Sequence, residues 1–335
     1  MPPHSKFCAF LKMEEAEQQN QDADRIQAPA VSVIIPAYKV AAFIRETIDS
    51  VLAQTFADYE VIVINDGSPD TLELERALEP YGRQIRYIKQ ENQGAGAARN
   101  AGLRLASGRF VAFLDGDDVY LPNFLEEQMQ LIQSDGGYDL AYADKSDFGD
   151  ARLFANSEAD PAKGEVTAED LLCGRSNITT STVLARRELV IDTGMFDETL
   201  RNSQDFDLWI RLAKNGARIT YQPRVLLLRR IYVGSLASDS MKSFEGELRV
   251  LKKTRLRNDL TAAEVIALEE TLGRRQADME VARGKRSLLA GDYAASITSF
   301  QLANDYFHSL KLRLVLVCLR IAPGLLQRVY KLRPT

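Results

Sequence analysis

The chain has 335 residues, with 42 Lys and Arg against 47 Asp and Glu and a formal net charge of −5. That balance excludes a general nucleic-acid binder built on a basic surface. Two histidines, His4 and His308, and three scattered cysteines, Cys8, Cys173 and Cys318, exclude a His-rich zinc site, a Ser-His-Asp triad and a disulfide framework, so any metal site must be built from oxygen ligands.

The hydrophobic fraction of 45% is ordinary for a globular protein, and the length favours one large domain with an appendage. Residues 1–28 read as a flexible leader: "MEEAEQQNQDADRIQ" (Met13 to Gln27) is acidic and polar, and no signal-peptide core precedes it. No run of 18 uncharged apolar residues occurs, so no membrane-spanning helix is expected. Scattered free thiols point to a reducing, cytoplasmic compartment.

From there strand and helix alternate. "VSVIIPAY" is a strand stopped by Pro36, and "AAFIRETIDSVLAQT" carries Ile44, Ile48, Val51 and Leu52 at helical spacing. "YEVIVINDGS" is a buried strand ending in a polar turn, "TLELERALEPYG" a helix, "IRYIKQ" a strand and "AGAARNAGLRLASG" a helix of small residues. "RFVAFLDGDD" is the next strand, "PNFLEEQMQLIQ" a helix with proline in its first turn, and "YDLAYAD" closes the series. This order predicts an α/β fold with a mostly parallel sheet flanked by helices.

Beyond residue 143 the pattern loosens. Residues 145–165 read as a loop or irregular hairpin, "STVLARREL" as a strand leading into a helix, and "SQDFDLWIRLAKNG" as a helix. "ARITYQ" and "VLLLRRI" read as two more strands, and the chain is expected to be helical from about Ser235.

Ligands of such sheets bind beyond the carboxyl ends of the strands. The polar signals fall there: Pro36-Ala37-Tyr38, Asn65-Asp66-Gly67-Ser68 and Asp115-Gly116-Asp117-Asp118 each follow a strand. Asp115-Gly116-Asp117 can be a tight turn whose acids cap the next helix. It can equally supply the hard carboxylate oxygens that Mg²⁺ or Mn²⁺ prefers, with substrate phosphates completing the shell. The same stretch fits the Asp-x-Asp pattern of haloacid-dehalogenase-like phosphatases, with Asp115 as nucleophile and Asp117 as general acid. That pattern opens its catalytic domain, whereas here three βα units precede it. "GAGAARNAG" (Gly94 to Gly102) has Arg99 where a dinucleotide fingerprint needs its third glycine. It suits close helix–sheet packing, with Arg99 and Asn100 directed at a phosphate or base. In "SQDFDLW" the acids suit the first turn of a helix, and Asp205 is the economical base where histidine is lacking.

The series Pro36-Ala37-Tyr38, Asn65-Asp66-Gly67-Ser68, Gly94 to Asn100, Leu114 to Asp118 and Gln204-Asp205 resembles glycosyltransferase family 2, whose fold is the GT-A type. The resemblance covers roughly residues 30–230. It implies an inverting hexosyl transfer from a nucleoside-diphosphate sugar, with a UDP-sugar favoured, to a glycan or lipid-linked acceptor, as in cell-envelope polysaccharide synthesis. It implies base and ribose contacts at Pro36, Ala37, Tyr38 and Asp66, with Gly67 beside them. Arg99 and Asn100 become further nucleotide contacts, and Asp115 and Gly116 face the diphosphate. Asp117, with Asp115, becomes the ligand of Mn²⁺ or Mg²⁺, and Asp205 the general base. Asn65 and Gln204 depart from the aspartate and glutamate common in the family. A non-catalytic, nucleotide-sugar-binding member is the alternative those departures leave open.

This reading divides the chain at residues 29–143 for the nucleotide-binding half, 144–234 for the acceptor half and 235–335 for a helical extension. Within the extension, Ala282 to Asp305 resembles one tetratricopeptide-like hairpin. Residues 309–333 are apolar and basic, broken by Pro323-Gly324. They are expected to meet an anionic membrane surface, placing the protein on the inner face of the plasma membrane. Packing against the catalytic domain is the competing expectation.

Overall fold

The computed structural model describes residues 28–134, 137–150, 164–232 and 240–332. The expected leader up to residue 27, loop residues 151–163 and Arg333 lie outside the described residues.

The first half follows the expected alternation. Strand β1 (Val31–Ala37), helix α1 (Ile44–Leu52), β2 (Tyr59–Asp66), α2 (Thr71–Leu78), β3 (Arg86–Gln90), α3 (Ala95–Leu105) and β4 (Phe110–Phe113) come in turn. They are followed by β5 (Val119–Tyr120), α4 (Phe124–Gln133), β6 (Leu140–Gly149), β7 (Glu165–Val166), α5 (Ala168–Leu172), β8 (Val183–Arg186) and α6 (Arg187–Asp192). Helix α7 (Gln204–Lys214), β9 (Ile219–Ile231), α8 (Ser240–Thr254), α9 (Ala262–Ala290), α10 (Tyr293–Phe307), α11 (Leu310–Ile321) and α12 (Pro323–Leu332) complete the chain.

One sheet runs in the order β3-β2-β1-β4-β8-β6-β9-β5, with β7 on β9. β3, β2, β1 and β4 are parallel neighbours. β8 is antiparallel to both β4 and β6, so the sheet is mixed beyond β4. The chain thus grows outward from β1 to β2 and β3, then returns to place β4 on the other side of β1. The loops after β1 and β4 part at this reversal and open a crevice, which is where such sheets bind ligands.

Two expectations are corrected. Residues 145–149 continue β6, where a loop or irregular hairpin was expected, and the two strands expected at "ARITYQ" and "VLLLRRI" are one strand, β9. β9 pairs with β6 through a bulge: Ala143 faces Gln222, and Asp144 next faces Val225. Pro223 has no N–H to give the ladder, and the bulge is where such a residue is tolerated within a strand.

Alternation along β1 sends Ile34 to one face and Val33 and Ile35 to the other, so each face has its own core. The first contains Phe113, Phe196, Leu208, Trp209 and Leu212, and it reaches into the extension at Leu248, Leu251, Leu268 and Leu272. The second contains Ile44, Ile48, Phe110, Phe124 and Leu125. α8 and the first half of α9 are therefore held by the same core as the sheet. α9 begins on a capping box, in which Glu264 N–H donates to Thr261 Oγ1 at 3.2 Å and Thr261 N–H to the Glu264 carboxylate at 2.7 Å. Lys214, at the end of α7, reaches that carboxylate at 2.8 Å. A small separate cluster of Leu288, Phe300, Leu316 and Leu319 joins α9, α10 and α11.

Candidate active site

A cleft of about 880 Å³ lies over the sheet reversal. Its walls come from the loops after β1, β2 and β4, the start of α3, residues 176–180, and the start of α7. Pro36, Ala37, Tyr38, Asp66, Arg99, Asp115, Gly116, Asp117 and Asp205 all line it. Gly67 and Asn100 do not.

Both are engaged elsewhere in the fold. Asn100 donates through Nδ2 to the Phe196 carbonyl at 2.9 Å and to Glu198 at 2.8 Å, while its Oδ1 accepts from Phe196 N–H at 2.9 Å. It ties α3 to the segment before α7 and has nothing directed at a phosphate. Gly67 acts through conformation: its φ is +59°, and a Cβ there would stand 2.6 Å from the Asn92 nitrogen.

Asp66 is in the cleft wall but is heavily committed. Oδ1 accepts from Gln90 Nε2 at 2.8 Å and Gln93 N–H at 2.9 Å, and Oδ2 from Gly94 N–H at 2.8 Å and Asn92 Nδ2 at 3.3 Å. A carboxylate has about four such acceptor sites, so Asp66 builds the loop leading into α3. Asn65 is fully buried and donates to Tyr87 Oη at 2.7 Å and Thr71 Oγ1 at 3.0 Å, while accepting from Ser68 N–H at 2.9 Å. The amide that replaces the family's usual aspartate is thus used inside the fold. Ser68 and Asp70 in turn hold the loop after β1 through Lys39 N–H at 2.7 Å and Ala41 N–H at 3.0 Å.

The aspartates after β4 divide by environment. Asp115 keeps 40% of its side-chain surface exposed and pairs with Arg99. Asp118 is buried and accepts from Arg230 N–H at 3.0 Å. Burial, then Asp115 and Asp117, push its carboxyl well above the usual range. Asp117 accepts from Tyr232 Oη at 3.0 Å. Burial, followed by repulsion from Asp115, raises its pKa to about 6. Gly116 sits so close to Pro36 and Val40 that a Cβ would lie 3.0 Å from the Pro36 carbonyl and 2.9 Å from Val40 Cγ2. Arg230 closes this turn from outside, with Nε donating to the Asp117 carbonyl at 3.0 Å and its guanidinium over Phe43 and Phe148 at 4.7 and 4.3 Å.

Among the described residues no three His, Cys, Asp or Glu side chains gather into an all-protein cation cage. Asp115 and Asp117 supply two hard oxygen donors at an open cleft. That set fits an Mg²⁺- or Mn²⁺-type ion that takes its remaining ligands from substrate phosphates and water. The Arg99 Nε–H is buried in the same wall with no partner among the described residues.

Asp205 stands at the start of α7 across the cleft. Oδ2 accepts from Thr180 Oγ1 at 2.8 Å and Oδ1 from Phe206 N–H at 2.9 Å, which fixes its orientation and leaves acceptor capacity on both oxygens. Gln204 is buried and packs over Gly96, so the family's usual glutamate is replaced by a packing residue.

Sequence reasoning missed one wall. Glu247, Leu251, Thr271 and Arg275 of α8 and α9 line the cleft, with Arg275 Nε 2.7 Å from Glu247. Burial raises the Glu247 pKa, Arg275 opposes this, and Asp205 adds to it. The acceptor half was expected at residues 144–234, which does not include these four. The indole N–H of buried Trp209, which also lines the cleft, has no partner among the described residues.

The glycosyl transferase family 2 model matches residues 32–174. An uncharacterized glycosyltransferase of Rickettsia prowazekii is 33% identical over 226 residues, 66% of this chain and 70% of the relative. One of Rickettsia bellii is 34% identical over 249 residues, 72% of this chain. The chain spans only 35% of that relative's length and 41% of a similar one in Rickettsia felis. Among solved structures, S. aureus TarS in complex with UDP-GlcNAc aligns at a TM-score of 0.61 and 20% identity over 90% of both chains. Mannosyltransferase PcManGT from Pyrobaculum calidifontis, in complex with GDP-Man and Mn²⁺, aligns at 0.59 and 19% identity over 91% of this chain and 85% of its own. These likenesses show a GT-A-type fold, and the sequence match together with the site shows that the chain belongs to glycosyltransferase family 2.

Proposed function

We propose that this chain is a metal-dependent, inverting glycosyltransferase that moves a sugar from a nucleoside diphosphate to a hydroxyl of a glycan or lipid-linked acceptor. The observation that carries the reading is the convergence of Asp115, Asp117, Arg99 and Asp205 on one cleft at the sheet reversal. The phosphatase reading loses its ground, because the aspartate loop follows the fourth strand of the domain and Asp115 is paired with Arg99.

Pro36, Ala37 and Tyr38 form the wall for the base and ribose, on a loop held by Ser68 and Asp70. Asp66 shapes the adjoining wall, and Arg99, paired with Asp115 in the cleft wall, sets positive charge beside the diphosphate. A Mn²⁺ or Mg²⁺ ion at Asp117 and Asp115 would supply neutralisation of the charge that develops on the departing nucleoside diphosphate. Asp205, steadied by Thr180, takes the proton of the acceptor hydroxyl as its oxygen attacks the anomeric carbon. The bond to the diphosphate breaks on the opposite face, so one displacement inverts the anomeric centre. TarS and PcManGT were solved with UDP-GlcNAc and GDP-Man, which supports the nucleotide-sugar class here, with a UDP-sugar favoured. The acceptor enters between Asp205 and the wall made by Glu247, Thr271 and Arg275.

The test is release of nucleoside diphosphate from UDP-GlcNAc and GDP-Man with Mn²⁺, in wild type and Asp205→Asn. Loss of a general base costs about 10²- to 10⁴-fold in turnover with nucleotide affinity unchanged. Equal turnover in the variant refutes the role of Asp205.

A further inference from the structure

The last two helices carry an apolar stripe that the fold leaves uncovered. In α11, Leu312, Val315, Leu316 and Leu319 face inward onto Leu288 and Phe300. Leu310, Leu314, Val317 and Ile321 face outward and are 74%, 66%, 49% and 79% exposed. Their spacing of four, three and four residues keeps all four on one line, since a helix turns about 100° per residue. α12 continues the exposed set with Leu325 at 65% and Val329 at 44%.

Charge accompanies the stripe on both sides. About 100° per residue places Lys311 on one flank of the α11 line and Arg313 and Arg320 on the other, and all three are exposed. Arg328 and Lys331 of α12 are exposed as well. No Asp or Glu occurs after Asp305. A row of large apolar residues bordered by long cationic side chains suits the boundary between lipid headgroups and acyl chains. The apolar row enters and the cations reach back to anionic headgroups. Among the described residues no helix is long and apolar enough to cross a membrane, so the contact lies along the surface.

We propose that the outward face of α11 and α12 docks on an anionic lipid surface. The inward face packs on the hairpin of α9 and α10, so packing and membrane contact are served by opposite sides of one helix. This surface is separate from the cleft, and the inference stands or falls independently of the transferase reading.

The full 335-residue chain would be floated with vesicles of phosphatidylcholine alone and of equimolar phosphatidylcholine and phosphatidylglycerol. It is expected to float with the anionic vesicles only, and less as salt rises. Leu314→Glu/Ile321→Glu is expected to reduce the floating fraction at least about tenfold, since charge on the inserted face opposes burial. Lys311→Glu/Arg313→Glu is expected to weaken flotation while keeping the stripe. Thermal melting of both variants should match wild type, because all four side chains are exposed. Should the first pair unfold, Leu310→Ser/Leu314→Ser gives the same reading. Failure of the wild type to float, or equal flotation of a folded stripe variant, overturns the proposal. So does light scattering that shows a dimer which the stripe substitutions dissolve, since a second copy then covers the face.

Discussion

Replacing Asp66 by asparagine changes almost no volume, yet it strikes the loop that shapes the nucleotide wall. The wild-type carboxylate accepts four hydrogen bonds, two on each oxygen, from Gln90, Asn92, Gln93 and Gly94. Whichever way the new amide turns, its NH₂ group faces two donors. One orientation confronts the Gln93 N–H, the other the Gly94 N–H. Hydrogen bonds to a charged group contribute about 1.5–3 kcal/mol each. Two are lost and the NH₂ group is set against two part-buried donors, so a local cost of about 2–4 kcal/mol follows. Gly67 lies close against the Asn92 backbone, where an added Cβ would stand 2.6 Å from its nitrogen, so the loop cannot shift inward to re-form the lost bonds. Urea denaturation should show a stability loss of this size, or, if the loop opens locally, nucleotide affinity by calorimetry should fall by more than about tenfold, equivalent to 1.4 kcal/mol. A variant with stability within about 0.5 kcal/mol of wild type and unchanged nucleotide affinity would refute the assignment of Asp66 as the loop's anchor.

Further outcomes follow from the same structure. Gly116→Ala drives a methyl group against the Pro36 carbonyl and Val40, so nucleotide binding should be lost by calorimetry with far-ultraviolet dichroism retained. Lys253→Met removes the ammonium that reaches Asp197 at 2.6 Å and Asp207 at 2.7 Å. Asp207 keeps Arg211 at 2.8 Å, and Lys253 is partly exposed, so about 1–2 kcal/mol should be lost at pH 7 in urea denaturation. Burial opposes ionisation of Asp197, but Lys253 and Thr199 outweigh it and hold the carboxyl at about 2. Its contribution is therefore present above an unfolded value of about 3.9 and fades as pH falls toward 2, and the gap between wild type and Lys253→Met should narrow over that window. Glu247→Gln should lower kcat/KM for the acceptor while leaving nucleoside-diphosphate affinity unchanged in titration, since Glu247 lines the cleft beside Asp205.

The parallel half of the fold was legible because buried β-branched runs end in polar turns at a regular interval. Residues such as Val33, Ile35, Val61 and Val63 follow that rule closely. Asp115, Asp117 and Asp205 were legible as candidate site residues because carboxylates crowd where apolar elements stop or start, and the fold brings all three to one cleft. Asn100 was not, since an amide beside Arg99 reads the same whether it faces ligand or, as here, the Phe196 backbone. Pro223 split β9 in the sequence because a proline without an N–H reads as a strand end, and the bulge that accommodates it depends on a partner strand 79 residues earlier, where Ala143 meets Gln222. The insertion of β8 between β4 and β6 is likewise a long-range pairing with no local signal. Glu247 and Arg275 escaped because their role arises only when α8 and α9 pack onto Trp209 and Leu212 in the shared core.

Asp115 and Asp117 are proposed to hold a divalent cation together with a nucleoside diphosphate. Calorimetric titration of UDP and GDP, with and without Mn²⁺, into wild type and Asp117→Ala tests it most directly. Mn²⁺-dependent binding of one nucleotide is expected in the wild type, and its loss in Asp117→Ala. Absence of binding under every condition, or Mn²⁺-dependent binding that survives the substitution, would contradict it.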